Sequence, residues 1–238
     1  MTVRLIVPPP KGVKNRPFPL LAGTVAYALT MLTFVTANKL TTSANVIMLQ
    51  YSAPVWAGLL GWLLVKEKPH WEQWGAIVLV SGGLLLFLRD GLGSGTLAGD
   101  GLAVLSGIFL AANSVFLRMM KDANPRDAML LAHVLCALAG IPFVILYPPV
   151  FSTSSVLSLV YMGTIQVGLA SILFAYGMKR ISAVQAMLTA IIEPIFNPLW
   201  VLFVTGERPS LTALAGGVII ITAVFASSLI GKRREETA

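Results

Sequence analysis

Eight apolar runs, each about long enough to cross a bilayer, follow one another through this chain of 238 residues. They fall at residues 20–37, 44–65, 71–88, 98–117, 128–147, 156–178, 183–204 and 211–230. A hydrocarbon core needs about 20 mostly apolar residues in helical form. The breaks carry charges or turn formers: ANKLTTS, KEKPH, RDGLGSG, KDANPRD, YPPVFSTSS, KRIS and GERPS. The runs are too long and too evenly apolar for barrel strands, whose side chains alternate between lipid and lumen. The predicted fold is therefore an all-α polytopic membrane protein, a bundle of about eight transmembrane helices. Composition agrees: 11% of the residues are charged, against about 25% in a soluble domain.

The formal charge of +7 does not point to nucleic acid, because the basic residues punctuate the apolar runs instead of gathering on one soluble segment. With both termini placed in the cytoplasm, 14 of the 17 Lys and Arg residues lie inside and only Lys39, Arg89 and Arg208 lie outside. That asymmetry sets the expected orientation. Residues 1–19 are basic and proline-rich without an apolar core, so no cleavable signal peptide is expected. Cys136 is alone, which leaves no intrachain disulfide and no cysteine-based metal site. No GxxxxGK[ST] stretch occurs, so ATP is not expected to act directly. No cofactor and no metal are expected.

The chain repeats itself at an offset of 140. Phe34, Lys39, Pro54, Leu59, Glu67 and Pro69 recur as Phe174, Lys179, Pro194, Leu199, Glu207 and Pro209, and Lys68 matches Arg208. Spans one to three thus correspond to spans six to eight. A shift of five spans is odd, so the copies run in opposite directions through the membrane. An inverted repeat with proline-interrupted helices at corresponding positions points to alternating access. The expected organisation is a basic cytoplasmic segment at 1–19, an incomplete three-helix first repeat at 20–93, a complete five-helix second repeat at 94–231, and a charged cytoplasmic tail at 232–238. By this arithmetic the first copy lacks two helices that spans four and five would match.

The mid-span prolines, the exits LLGWLLVKEKP and LWVLFVTGERP, and the small-residue starts GAIVLVSGG and AGGVIIITA resemble the EamA branch of the drug/metabolite transporter superfamily. The resemblance covers about residues 20–230 and is specific in the second and seventh spans. It implies ten spans in two inverted five-helix halves, with export of small organic metabolites, often amino acids or related compounds, across a bacterial inner membrane. Against that pattern the first two helices are expected to be absent from this chain.

The stretch IIEPIFNP, residues 191–198, holds the main site candidates. Gln185, Thr189, Glu193 and Asn197 recur every fourth residue and so share one helix face. A polar row facing lipid is costly, and an acid at mid-helix costs about 2.5–3.5 kcal/mol on insertion scales. The row is therefore expected to face a wet interior, with Glu193 as a substrate or proton group. Pro194 and Pro198 each free a carbonyl one turn earlier, while Pro54 kinks the matching helix, where Ala53 and Ala57 replace the acid and amide. The alternative for Glu193 is a structural hydrogen bond between helices. Gln50, Tyr27, Asn113 and Gln166 are further cavity candidates, about as well suited to bridging helices. His133 reads as interfacial or structural, and the turn Lys66-Glu67-Lys68 as a charged helix anchor.

The expected function is secondary transport of small metabolites, with a small-molecule substrate and the bilayer as partners, no nucleic acid, and homodimerisation left open. Two alternatives remain: a non-transporting or shortened membrane partner subunit, and an intramembrane enzyme. The enzyme is disfavoured because no paired catalytic groups are visible: Asp100 has no second intramembrane aspartate, and no GxSxG serine faces a histidine.

Overall fold

The second predicted span is where the chain departs most from an uninterrupted helix. In the computed structural model, which describes residues 17–89, 95–149, 151–193 and 210–237, it divides into α2 (Ser43–Gln50), α3 (Ala53–Leu60) and a π-helical turn at Gly61–Val65. Pro54 supplies no N–H, so the carbonyl of Gln50 loses its helical donor and the helix breaks at Tyr51–Ser52, just before the proline. The π turn ends at Lys66, whose φ of 61° is left-handed. Its N–H and that of Glu67 both return to the Gly61 carbonyl, which closes the helix and swings Glu67 sideways.

The other described elements are α1 (Pro17–Leu40), α4 (Trp71–Leu88), α5 (Leu97–Met119), α6 (Pro125–Leu146), α7 (Thr153–Tyr161), a π-helical stretch at Met162–Leu169, α8 (Ala170–Gly177), α9 (Ala183–Ala190) and α10 (Leu211–Thr237). There is no strand among the described residues. Among the described residues five stretches are long and apolar enough to cross a membrane: Pro17–Leu40, Ser43–Val65, Leu97–Met119, Pro125–Leu146 and Thr153–Gly177. Shorter apolar helices at Trp71–Phe87 and Leu214–Ile230 account for two more of the predicted spans. The remaining run, 183–204, is described only as far as Glu193, so the predictions at Pro194, Asn197 and Pro198 lie outside the described residues.

Between helices in lipid, apolar burial gives little drive, and close contact depends on small residues. α1 lies between α5 and α6 on that basis. A Cβ on Gly23 would sit 3.3 Å from that of Phe116 and 3.7 Å from that of Ala128. Asn113 Nδ2 donates to the Gly23 carbonyl at 2.9 Å, and the Thr24 hydroxyl reaches the Ala128 carbonyl at 3.3 Å. α5 meets the broken second span at Gly107, where a Cβ would lie 2.6 Å from the Gln50 carbonyl. α4 and α10 cross through Gly83 and Gly216: Gly83 faces Ile220 while Gly216 faces Phe87, so the two helices are antiparallel.

The loops gather at two ends. At one, Thr41 donates to Asp100 Oδ1 at 2.9 Å, Asn45 donates to Thr41 at 3.2 Å, and Thr96 donates to the Leu40 carbonyl at 2.9 Å. At the other, the turn after α3, the end of α5 and the α8–α9 connection meet around Arg118.

Candidate functional site

A cavity of about 920 Å³ lies at the Arg118 end. Ala57 of α3 and Gly61 form part of its apolar wall. The turn from Lys66 to His70, Glu72 and Gln73 of α4, the segment from Arg180 to Gln185, and Ser227 and Ser228 of α10 complete it.

Local sequence explains how each wall is held. Gln73 Oε1 accepts from the His70 N–H at 3.1 Å and caps the start of α4. Ser182 is the N-cap of α9, its hydroxyl accepting from the Gln185 N–H at 3.2 Å. The same hydroxyl accepts from Gln73 Nε2 at 3.4 Å, so one serine ties α9 to α4. Thr42 caps α2 in the same way, accepting from the Asn45 N–H, and it lies 140 residues before Ser182.

Arg118 crosses the cavity's edge. Its Nε donates to Glu67 Oε1 at 2.9 Å, and its Nη1 donates to the Lys179 carbonyl at 3.2 Å. The two side chains are 15% and 31% exposed, so solvent screens the pair and its net stabilisation is modest. Its consequence is positional: one guanidinium joins the turn after α3 to the end of α8. Lys68 stands over the Trp62 ring at 5.7 Å. Glu72 is buried in the first turn of α4, where the helix N-terminus favours a carboxylate. Lys66, Lys68, Arg118 and Arg180 face Glu67 and Glu72 around the cavity; four cations against two carboxylates leave a formal +2.

Of the predicted site residues, Gln185 lines this cavity. Thr189 and Glu193 continue its face and are exposed. Thr189 donates back to the Gln185 carbonyl at 2.8 Å. Tyr51 of the broken second span donates to the Ala190 carbonyl at 3.4 Å, which joins the two break points. Gln50 and Asn113 are taken up by helix bridging. Gln50 donates to Ser106 at 2.7 Å, and Ser106 to the Thr30 carbonyl at 3.3 Å. Asn113 is fully buried with its amide on Gly23. Tyr27 packs on His133, away from the cavity residues. Gln166 sits exposed in the π-helical stretch. Pro54 begins α3 and is buried.

The cavity's charged residues were visible in the sequence only as helix anchors. The KEKP turn and its GERP echo signalled a structural role for Glu67, but nothing in the spacing paired it with Arg118, 51 residues away. Glu72 and Ser182 carried no signal beyond ordinary capping chemistry. Among the described residues no group of His, Cys, Asp or Glu side chains is arranged to hold a metal ion.

Comparison with known proteins places this geometry in context. The model of the EamA-like transporter family matches residues 3–89 and 97–229. The uncharacterized transporter YwfM of Bacillus subtilis (strain 168) is 29% identical over 237 residues, covering 95% of this chain and 78% of its own. An uncharacterized transporter of Archaeoglobus fulgidus is 24% identical over 211 residues, covering 85% and 71%. One solved structure, titled only as the crystal structure of a protein, superposes with a TM-score of 0.78 at 21% identity, over 93% of this chain and 79% of that one. The last likeness concerns the fold alone.

Proposed function

The chain belongs to the EamA-like transporter family, and from that premise we propose that it is a secondary transporter exporting small organic metabolites, such as amino acids or related compounds, by alternating access. That it is a multi-pass membrane protein of a transporter family follows from its apolar helices and its relatives. Substrate, direction and mechanism are the proposal.

The observation that carries it is the contrast between the two ends. A cavity of about 920 Å³ with charged residues in its lining occupies one end, while Thr41, Asn45 and Asp100 are hydrogen-bonded across the other. Such an arrangement suits one state of a cycle in which access switches sides. In the orientation favoured by the Lys and Arg distribution, the cavity opens to the cytoplasm, which fits loading before export. Its formal +2 next to Gln185 and Ser182 suits a polar solute bearing a carboxylate.

Two antiparallel copies, residues 20–93 and 94–231, would supply the moving halves. Three features support this division. α2 ends at Gln50 with Tyr51 as its C-cap, and α9 ends at Ala190 with Ile191 as its C-cap, 140 residues later. The N-caps Thr42 and Ser182 keep the same offset. The buried core residues Val80 of α4 and Ile220 of α10 keep it as well. In this reading Gln185, Thr189 and Glu193 lead from the cavity toward mid-membrane, and Glu193 contacts substrate or carries a proton.

Efflux from proteoliposomes preloaded with a panel of labelled amino acids and small carboxylates, with and without a proton gradient, tests the reading. Faster efflux than from empty vesicles for at least one solute is expected, with Glu193→Gln lowering the rate or abolishing its response to the gradient. Efflux at the empty-vesicle rate across the panel, in either gradient, would sink it.

A further inference from the structure

His133 has partners that the proposed transport path does not use. It lies on α6 about 12 Å along the helix from its start, on the face that meets α1 and α8. Its Nδ1 is 2.6 Å from the Met129 carbonyl. A carbonyl can only accept, so Nδ1 carries a hydrogen. Its Nε2 is 3.3 Å from the Ser171 hydroxyl oxygen, and that hydroxyl is 2.6 Å from the Val167 carbonyl. Tyr27 of α1 stacks against the imidazole with ring centroids 5.2 Å apart and planes tilted by 39°.

With a neutral ring the Ser171 hydroxyl, held 2.6 Å from the Val167 carbonyl, turns a lone pair and not its hydrogen toward Nε2. Ser171 has one hydroxyl hydrogen and then faces two acceptors, the Val167 carbonyl and Nε2. With a second ring proton every bond is made at once: Nδ1–H to Met129, Nε2–H to Ser171, and Ser171 O–H to Val167. The Tyr27 ring adds an aromatic face, which attracts a cation. We propose that Tyr27, His133 and Ser171 form a proton-binding site between α1, α6 and α8, and that its occupancy is coupled to the π-helical stretch Met162–Leu169.

The coupling follows from where the chain of bonds ends. Val167 lies inside the π-helical stretch, and its carbonyl also accepts from the Ala170 N–H at the stretch's end. A proton on His133 directs the Ser171 hydroxyl onto that carbonyl; loss of the proton lets the hydroxyl turn toward Nε2 and releases it. π-helical segments inside α-helices recur at functional sites, and this one lies in the least covered of the long spans. The titratable groups around the ring are Tyr27 on α1 and Cys136 one turn along α6; α8 contributes Ser171. Among the described residues no carboxylate is bonded to the ring.

The test is nitrogen-15 NMR of the histidine side chains in the full chain, reconstituted in nanodiscs. His70, the other histidine, is identified by His70→Asn, an N-cap-compatible change. Spectra are taken from about pH 5 to about pH 8, the range in which histidine changes charge. The expected result is an Nδ1–H that persists throughout and an Nε2 that gains a proton within the range. Ser171→Ala should weaken proton binding about tenfold, the size of one charge-assisted hydrogen bond. Hydrogen exchange at Met162–Leu169, corrected for intrinsic rates, should be slower on the acid side in the parent and lose that dependence in Ser171→Ala. A ring that stays neutral throughout, an unchanged midpoint in Ser171→Ala, or exchange indifferent to pH would overturn the proposal. None of these readouts requires transport, so they are separable from failure of the export reading.

Discussion

Gly23-Thr24 and Gly163-Thr164 are the same dipeptide 140 residues apart, yet they meet opposite surroundings. In α1, Gly23 is pressed against Phe116 and Ala128, its carbonyl takes the Asn113 amide, and Thr24 reaches across to α6. In the stretch from Thr153 to Gly177, a Cβ on Gly163 would meet nothing within 4 Å, and Thr164 bonds only within its own helix, to the Val160 carbonyl. A third of the apolar window of α1 is buried (33%), against 6% of the later span. The repeat thus copies the docking device without copying its use. A small residue creates room for a neighbour, and only the neighbour turns that room into a contact. α1 has α5 and α6 as such neighbours.

The sharpest break of this comparison is a matched pair of substitutions. Gly23→Leu should force α1 away from α5 and α6 and lower stability by about 2–3 kcal/mol or more, as overpacking does. Gly163→Leu should leave the unfolding midpoint nearly unchanged. Thermal unfolding in the same detergent reads both, and equal losses would mean that the later span is covered as tightly as α1. A smaller effect is expected from Asn113→Ala, which removes the amide from the Gly23 carbonyl and opens a gap in α5. About 1–2 kcal/mol should be lost, and Gly23→Leu in that background should cost less than the two changes added together, because both act on one contact. Smallest of all, Thr24→Val should cost about 0.6 kcal/mol, the usual worth of a hydrogen bond between membrane helices. Thr164→Val should cost nothing measurable. A loss at position 164 equal to that at 24 would show that the intrahelical bond alone sets the value.

The helices themselves were legible because a bilayer imposes length and apolarity directly on the sequence. The predicted bounds 71–88 became Trp71–Leu88, and 98–117 became Leu97–Met119, displaced only where caps such as Thr96 set the true start. The break in the second span was announced by Pro54, but the π-helical segments were not, since no local residue pattern distinguishes them from α-helix in an apolar run. At the site, the sequence picked out Gln185 by its place in a polar row. It placed Gln50 and Asn113 below that row, as about equally suited to a cavity or to bridging helices, and the fold commits them to Ser106 and Gly23. A polar side chain within a span announces that it needs a partner; whether the partner is a helix or a cavity depends on what faces it. His133 illustrates the same point, for its surroundings come from residues 27 and 171, far apart along the chain.

What the sequence determined by itself is where the apolar helices of the described residues run, because that depends on local composition against a fixed solvent geometry. Only the tertiary structure decided which glycines are contacts, which amides are bridges, that Arg118 reaches Glu67 and the Lys179 carbonyl, and that the cavity forms at that end. Those depend on distances of a few ångströms between residues tens of positions apart, and no periodicity along a single helix encodes them.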